Sequence, residues 1–375
     1  MRLRRRQQVM TAGGAVVAMA LSLAACSSSS STAAAGTSSG SSSAPASGSS
    51  SSSAAAVTGT INAAGSTFQL NFQQAAISQF KSTDPSITVN YAGVGSSSGR
   101  ADFYKNTVLF AGSDSPIPSK EASEVPAGKT VLYFPVQIGP IAMAYNLPGV
   151  TGLKLDAPTL AKIFQGQIKT WDDPAIKALN PGLSLPSTAI TLAVRSDGSG
   201  TTANFSEYLV DAAGSAWSLG TGSTIKWPST ARAGDGGSGV AQIIKSTTGA
   251  IGYVDFSTAS ASSLSAASIK NSAGDYVAPS STSAAAAATQ VTPKADLTFA
   301  TVDEPGATSY PITYQSWDLV YAVQPNATDV QLLQAYLTYL LGPAQQLLTT
   351  LNLAPLPASI DAAVKPAAVA VEKST

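Results

Sequence analysis

One segment of the chain has residue types suited to holding an anion: Arg195-Ser196-Asp197-Gly198-Ser199-Gly200-Thr201-Thr202. It lies between the apolar run 190–194 and an amphipathic run over 203–209. A glycine-rich turn that opens a helix directs free backbone N–H groups at one point, where the helix dipole favours negative charge. Arg195 adds a forked, permanently charged donor that suits a tetrahedral oxyanion.

The composition excludes several classes of function. The chain has no histidine and one cysteine in 375 residues. Ser-His-Asp and Cys-His catalysis, histidine-based zinc sites and disulfide frameworks are therefore excluded, and we expect neither a metal nor a cofactor. The formal charge is zero, and without the arginines at positions 2, 4, 5 and 6 there remain 17 basic against 21 acidic residues. This balance argues against a nucleic-acid partner.

The N-terminus predicts export and lipidation. Arginines at positions 2, 4, 5 and 6 precede a mostly apolar run over 9–23, and Leu23-Ala24-Ala25-Cys26 reads as a bacterial lipobox. We predict a lipoprotein signal peptide over residues 1–25, with cleavage before Cys26 and a lipid on that cysteine. A short transmembrane helix is the alternative, but the run is shorter than the ~20 apolar residues that a span needs. The arginine pairs leave export by the Sec or the twin-arginine route open.

After the cysteine, residues 27–56 are almost entirely Ser, Ala, Gly and Thr, with one proline and no charge. Such a composition cannot form a core, so we predict that residues 26–56 are the lipidated cysteine and a flexible tether spanning roughly 30 Å. The remainder, from residue 57, is long enough for two domains.

The globular part alternates strand-like and helix-like patterns, which predicts an α/β protein. Residues 87–91 alternate like a strand, and Phe68, Phe72, Ala76 and Phe80 recur at helical spacing. A late helix is predicted to start at an N-cap at Thr328. Further strands are predicted over 108–111, 131–136, 190–194, 250–254 and 318–323.

Three more Gly/Ser loops each follow a predicted strand, over residues 64–68, 93–99 and 112–116. Ligands of open α/β sheets bind at the carboxyl ends of the strands, beside helix N-termini. A single loop of this kind is more often an ordinary turn, but four together indicate one binding site. The segment Gly234–Gly239 has two interpretations, another anion-binding turn or a plain turn before a helix at Val240, and we favour the plain turn. Asp172 or Asp173 is interpreted as a helix N-cap before Pro174.

These four loops, in this order, resemble the phosphate-binding subunit of the bacterial high-affinity phosphate ABC transporter, the PstS family. The resemblance extends to residues 160–171, 176–181 and 249–254, to Trp227-Pro228 and to the closing segment 353–357. It covers nearly all of residues 57–365. One departure is visible, because Ser98 and Arg100 stand where a glycine and an apolar residue are expected.

The resemblance implies a set of phosphate contacts. Thr67 binds through its hydroxyl and Phe68 through its backbone N–H; Ser96 contacts the ligand, and Asp114 accepts a hydrogen bond from a protonated phosphate oxygen. The remaining implied donors belong to the segment 195–202: Arg195, Ser199, Gly200 and Thr201. Asp197 of the same segment is implied to position the Arg195 guanidinium.

Elementary electrostatics agrees with the role given to Asp114. An ionised carboxylate repels an anion unless the anion carries a proton that it can donate. Phosphate near neutral pH carries such a proton and sulfate does not, so one carboxylate can reject sulfate. The alternative interpretation is that Asp114 merely caps a turn before Pro116.

The resemblance also implies a two-lobe periplasmic-binding-protein fold of type II-like α/β architecture, with the ligand in the cleft between the lobes. We place the crossings between lobes near 134–136 and 310–312. Lobe one then comprises residues 57–135 plus 310–375, and lobe two residues 136–309. The implied protein is a monomer outside the cytoplasm, anchored to the cell membrane by its lipid, that delivers inorganic phosphate to the membrane permease subunits of an ABC transporter.

Two other functions stay open at this point. The first is an enzyme, a surface phosphatase-like hydrolase with Ser199 or Ser96 as nucleophile, which the lack of histidine and of a metal cluster disfavours. The second is a binder of another oxyanion or of a host molecule.

Overall fold

The structure, a computed structural model, describes residues 57–289 and 291–373. The predicted signal peptide, Cys26 and the tether through residue 56 lie outside the described residues. The first third of the described chain contains these elements: β1 (Gly59–Gly65), α1 (Leu70–Thr83), β2 (Ile87–Gly93), α2 (Ser96–Tyr104), β3 (Phe110–Ser113), a 3₁₀ helix (Ser119–Glu124) and β4 (Val131–Tyr145).

The middle of the chain adds short strands and six helices to the described part. They are β5 (Lys154–Leu155), α3 (Ala157–Phe164), α4 (Pro174–Leu179), β6 (Thr191–Arg195), α5 (Gly200–Ala213), a 3₁₀ turn (Gly214–Ala216), β7 (Arg232–Gly234), α6 (Gly236–Ser246), β8 (Ala250–Asp255), α7 (Phe256–Ala261), β9 (Ser265–Ala266), β10 (Ser268–Lys270), β11 (Tyr276–Val277) and α8 (Ser281–Ala288).

The last part of the described chain adds β12 (Thr313–Tyr321), which lies between β3 and β4 in the sheet. It also contains β13 (Val323–Gln324), α9 (Ala327–Leu340), α10 (Gln345–Thr350), α11 (Ala358–Ala368) and β14 (Glu372–Lys373). Among the described residues, no helix combines the length and the apolar character that a membrane span requires.

A large sheet carries the fold. In the described chain its strands follow the order β2-β1-β3-β12-β4-β8-β6-β7, with β9 beside β4. Strands β1, β2 and β3 are parallel to one another at one side, and β6, β7 and β8 are parallel at the other. The long antiparallel strand β4 joins the two sides, because residues 131–140 pair with β12 and residues 141–145 pair with β8.

Helix α1 forms where the apolar spacing predicts a helix. The buried side chains of α1 include Phe72, Ala76 and Phe80, and Phe68 is buried just before the helix begins. Helix α4 begins after Asp173, whose carboxylate accepts a hydrogen bond from the Ala175 backbone N–H at 2.9 Å. The predictions of a strand at 87–91 and of an aspartate cap before Pro174 are therefore confirmed.

Two predicted helix starts are wrong. Helix α9 is capped by Asn326 rather than by Thr328, since the Asn326 side chain accepts a hydrogen bond from the Asp329 backbone N–H at 2.9 Å. Helix α6 begins at Gly236, four residues before the predicted start at Val240. The glycines at 236, 237 and 239 lowered the apparent helix propensity of that segment, yet they form its first turn.

The ends of β1 and β3 approach each other closely. A Cβ at Gly65, where φ is +150°, would lie 2.1 Å from the Gly112 carbonyl oxygen. Only glycine fits such a contact. The loops that follow these two strands are thereby held side by side.

Candidate functional site

The candidate site lies where the parallel strands of both sides end. Parallel strands present their carboxyl ends at one edge, so the loops that follow them are brought together. The residues of interest lie at six strand ends: after β1, Thr67 and Phe68; after β2, Ser96; after β3, Asp114; at the end of β6 and after it, Arg195 to Thr201; after β7, Gly236 and Gly237; and at the end of β8, Asp255.

The loop after β1 is held by its own hydrogen bonds. The Ser66 backbone N–H donates to the Gly112 carbonyl at 2.8 Å, and the Phe68 backbone N–H donates to the Ser66 hydroxyl oxygen at 3.0 Å. The half-buried Thr67 hydroxyl instead accepts a hydrogen bond from the Gly237 backbone N–H, at 3.4 Å. Thr67 therefore faces the loop after β7, which belongs to the β6–β8 side of the sheet.

Asp114 is a buried carboxylate surrounded by hydroxyl groups. Ser316 donates to its Oδ1 at 2.6 Å, and Ser96 donates to its Oδ2 at 3.4 Å. Burial raises the pKa of Asp114 to about 6, although the hydrogen bonds of the nearby serines and the positive charge of Arg195 oppose that shift. At neutral pH the carboxylate is thus mainly ionised and accepts hydrogen bonds.

Arg195 is bonded to Asp197, the residue that the family resemblance implies as its positioning partner. Its Nε donates to Asp197 Oδ1 at 2.7 Å and its Nη2 donates to Oδ2, in a forked pair that leaves Nη1 to other partners. Asp197 Oδ1 also accepts a hydrogen bond from the Gly236 backbone N–H at 3.2 Å. Burial alone raises the pKa of Asp197, but the Arg195 hydrogen bonds and charge outweigh it, so the pKa lies below its ordinary value.

The N-terminus of α5 points at Asp114 and Ser96. Ser199 caps the helix, because its side chain accepts a hydrogen bond from the Thr202 backbone N–H at 3.1 Å. A Cβ at Gly200 would lie 2.5 Å from Asp114 Cβ, 2.7 Å from its Oδ2 and 2.7 Å from Ser96 Oγ. The first N–H groups of α5, with the buried Thr201, therefore lie next to the carboxylate.

The structure thus brings the loops with the implied phosphate contacts to one place, although the Phe68 backbone N–H is bonded to Ser66 and Cys26 lies outside the described residues. Backbone contacts between the two sides complete the arrangement: the Ser97 N–H donates to the Gly198 carbonyl at 3.1 Å. The side chain of Asn204 donates both to the Asp114 carbonyl at 2.7 Å and to the Gly200 carbonyl at 2.9 Å.

Several residues of this site were missed by sequence reasoning. Asp255 ends β8 and caps α7, and burial raises its pKa to about 6; a carboxylate at the end of a predicted strand was a usable signal. Gly236 and Gly237 belong to the segment interpreted as a plain turn. Asn204 lies one helical turn after Gly200, and Ser316 lies inside a wholly buried strand. Nothing in the local sequence distinguishes either residue from a polar residue of the core.

Tyr314 contributes an aromatic ring and a hydroxyl group to the site. Its ring stacks on Phe68 with 4.1 Å between the ring centroids. Within the part of the chain that the structure describes, its buried hydroxyl has no hydrogen-bond partner of good geometry. Burial and the nearby carboxylates of Asp114 and Asp255 raise its pKa well above the ordinary value, so the phenol stays protonated and able to donate.

Arg100, the departure noted in the sequence, lies behind the site rather than at its surface. Its guanidinium is fully buried and pairs with Glu121 at 2.8 Å. It also donates to the Ser113 hydroxyl at 3.0 Å. Arg100 therefore connects α2, which begins at Ser96, with the end of β3 next to Asp114.

The chemistry of the site is that of many donors around one acceptor. Hydroxyls, helix N–H groups and Arg195 supply donors, and Asp114 supplies the acceptor. Such a set fits a small oxyanion that carries a proton. Among the described residues, no group of three or more His, Cys, Asp or Glu is placed to hold a metal ion.

Structures of known proteins share this fold. A high affinity periplasmic phosphate-binding protein (PfluDING) bound with phosphate superposes with a TM-score of 0.68 at 22% identity, covering 82% of this chain and 93% of that one. A phosphate binding protein from Stenotrophomonas maltophilia gives a TM-score of 0.66 at 19% identity, with the same coverage. The predicted two-lobe periplasmic-binding-protein fold is therefore confirmed.

Sequence relatives are closer. A family profile described as a PBP superfamily domain matches residues 49–344. Phosphate-binding protein PstS 3 of Mycobacterium leprae is 38% identical over 323 residues, covering 83% of this chain and 87% of that protein. Phosphate-binding protein PstS of Haemophilus influenzae is 34% identical over 312 residues, covering 82% and 91%. The chain belongs to the PBP superfamily and, within it, to the PstS family.

Proposed function

We propose that the chain binds inorganic phosphate between its two lobes outside the cytoplasm and delivers it to the permease subunits of an ABC importer. The observation that carries this proposal is the buried Asp114 carboxylate, which faces the N-terminus of α5 and the buried Arg195. A protonated phosphate oxygen has a partner there, and its other oxygens have donors. The relatives named as phosphate-binding proteins support the same assignment.

The proposed contacts are those that the sequence indicated. Thr67, Phe68, Ser96 and Asp114 come from the β1–β3 side, and Arg195, Ser199, Gly200 and Thr201 come from the β6–β8 side. Asp197 orients the guanidinium. We keep the lobe crossings near 134–136 and 310–312 as a proposal; both lie close to the point at residues 140–141 where β4 changes its partner from β12 to β8.

The chain acts in this proposal as a binding protein and not as an enzyme. The Ser199 hydroxyl accepts the capping hydrogen bond of α5, and no histidine is present in the chain to activate Ser96 or Ser199 as a nucleophile. We further propose that the protein is a monomer, held at the cell membrane by a lipid on Cys26.

Replacing Asp114 by asparagine is expected to change selectivity more than affinity. The amide removes the negative charge and adds a donor, so sulfate should bind while phosphate binds only modestly more weakly. The measurement is calorimetric titration of the purified chain with phosphate and with excess sulfate, after unfolding and refolding to remove any ligand that copurifies.

The matched control is Asp211→Asn, which changes an exposed carboxylate on α5 and should leave both titrations as in the wild type. Phosphate binding with rejection of sulfate by the wild type supports the proposed function. If Asp114→Asn rejects sulfate as the wild type does, Asp114 does not select ligands by accepting their proton in a hydrogen bond. Selectivity would then belong to the backbone around Ser96 and Gly200.

Replacing Cys26 by alanine should release the protein from the membrane fraction without changing its phosphate affinity, because the lipid adds membrane binding and no contact to the site. Fractionation of producing cells and titration of the released protein test this. Wild-type membrane retention of the variant would show that the lipobox assignment is wrong.

A further inference from the structure

A directional chain of hydrogen bonds ends on Asp114 from behind the proposed site. It begins at Tyr336 on α9, whose hydroxyl donates to Gln73 Oε1 at 2.7 Å. Gln73 Nε2 donates to Gln69 Oε1 at 3.1 Å, and Gln69 Nε2 donates to Ser316 Oγ at 2.8 Å. Ser316 Oγ in turn donates to Asp114 Oδ1 at 2.6 Å. All five side chains are buried.

The direction of this chain is fixed by groups that can act in one way only. Gln69 Nε2 also donates to the Trp317 backbone carbonyl at 3.0 Å, and a carbonyl can only accept. The amide nitrogen of Gln69 must therefore face Ser316. Because Ser316 Oγ accepts this hydrogen bond from Gln69, the Ser316 hydroxyl hydrogen points away from Gln69 and is donated to another acceptor.

Two acceptors compete for the Ser316 hydrogen, and their distances decide between them. Asp114 Oδ1 lies at 2.6 Å and the Ser113 carbonyl at 3.4 Å. The shorter bond ends on an ionisable oxygen and is the stronger of the two. Oδ1 is thus engaged from behind, and Oδ2, beside Ser96 and Gly200, is the oxygen left for the ligand.

We propose that Ser316 is a positioning residue for anion selectivity: oriented by Gln69, it keeps Asp114 an acceptor at neutral pH and presents Oδ2 to the ligand proton. The proposal rests on the proposed phosphate site and names residues that set its discrimination. An Asp114 that held a proton of its own could donate to an unprotonated oxyanion, and sulfate would then fit.

Other ionisable groups also act on Asp114. Arg195 on β6 favours its charged form, and Asp255 on β8 disfavours it. The phenols of Tyr91 on β2 and Tyr314 on β12 lie close enough for the Asp114 charge to raise their own pKa values. Asp318, whose pKa burial raises to about 8, contacts Gln73 rather than Asp114.

The experiment is a sulfate titration of the purified chain over a series of pH values, with phosphate titrated in parallel. Wild-type protein should exclude sulfate at pH 8 and begin to bind it as the pH falls through about 6, where Asp114 gains a proton. In Ser316→Ala the pKa of Asp114 rises, because a hydrogen bond to its charged form is lost. Sulfate binding should therefore begin about one pH unit higher.

Three further variants test whether the shift of the sulfate pH profile depends on the Ser316 hydroxyl. Ser316→Thr keeps the hydroxyl and should restore the wild-type pH profile, and Ser316→Cys, a weaker donor, should shift the profile in the same direction by less. The matched control is Ser113→Ala, which removes another buried hydroxyl next to Asp114, one bonded to Arg100 and to the Ser115 carbonyl. It should leave the profile unchanged.

A Ser316→Ala protein that binds phosphate and shows the wild-type sulfate profile overturns the role of Ser316. An equal shift in Ser113→Ala overturns it as well, because the effect would then be a general loosening of the site. A wild-type chain that binds neither anion at any pH contradicts the proposed function itself, which separates that failure from a failure of the positioning role.

Discussion

Replacing Arg195 by alanine is expected to lower phosphate affinity at least tenfold. The guanidinium is buried at the end of β6, and its charge-assisted hydrogen bonds to an oxyanion contribute roughly 1.5–3 kcal/mol each. The change also leaves Asp197 without its partner. An unpaired carboxylate close to the anion adds repulsion to the loss of donors. Calorimetric titration with phosphate measures the effect.

The control for this change is Arg232→Ala, which removes an exposed arginine from the adjacent strand β7 and alters the net charge equally. Its phosphate affinity should stay within a factor of about two of the wild type, since long-range charge effects at the surface are screened. The double variant Arg195→Ala/Asp197→Ala should bind more tightly than Arg195→Ala, because it removes the unpaired carboxylate. Equal losses in Arg195→Ala and Arg232→Ala would refute a direct contact.

Much of the site could be predicted because its residues follow strands. The strand signals at 87–91, 108–111 and 190–194 are local, and parallel strands end at one edge whatever their order. Ser96, Asp114 and Arg195 could therefore be placed together from the sequence. The amphipathic run was placed at 203–209, whereas α5 begins at Gly200, directly after Ser199, a residue type that is typical of N-caps.

What the sequence left out depends on contacts between distant positions. Ser316 and Asp114 are 202 residues apart, and nothing within β12 separates a serine that orients a carboxylate from one that fills the core. Arg100 is visible in the sequence only as a departure from the family pattern, and its burial and its hydrogen bonds to Glu121 and Ser113 are not. Pairings of this kind arise only when several loops have packed, so local patterns do not encode them.

The glycine segment after β7 shows a different limit. The sequence predicts a turn before Val240 here, and glycines do lower helix propensity. In the folded protein the first turn of α6 directs the Gly236 and Gly237 N–H groups to Asp197 and Thr67. Tertiary hydrogen bonds outweigh the propensity here.

Replacing Gly200 by alanine is expected to weaken phosphate binding about a hundredfold, which corresponds to the loss of several hydrogen bonds of about 1 kcal/mol each. The added Cβ would lie 2.5 Å from Asp114 Cβ and 2.7 Å from Ser96 Oγ, so the two sides of the site must move apart. The N–H groups of α5 and the Asp114 carboxylate could then no longer reach one anion together. Titration calorimetry and the rise in melting temperature with added phosphate measure this loss.

The control for Gly200→Ala is Gly214→Ala, at the other end of α5, where φ is +53° and no atom lies within 4 Å of an added Cβ. That change strains the backbone and should lower the melting temperature while leaving phosphate affinity intact. Gly200→Ala also lowers the melting temperature of the ligand-free protein, because the added Cβ overlaps Asp114 and Ser96, but here phosphate should raise that temperature little. A Gly200→Ala protein that phosphate stabilises as strongly as the wild type would show that the anion does not bind between Asp114 and the start of α5.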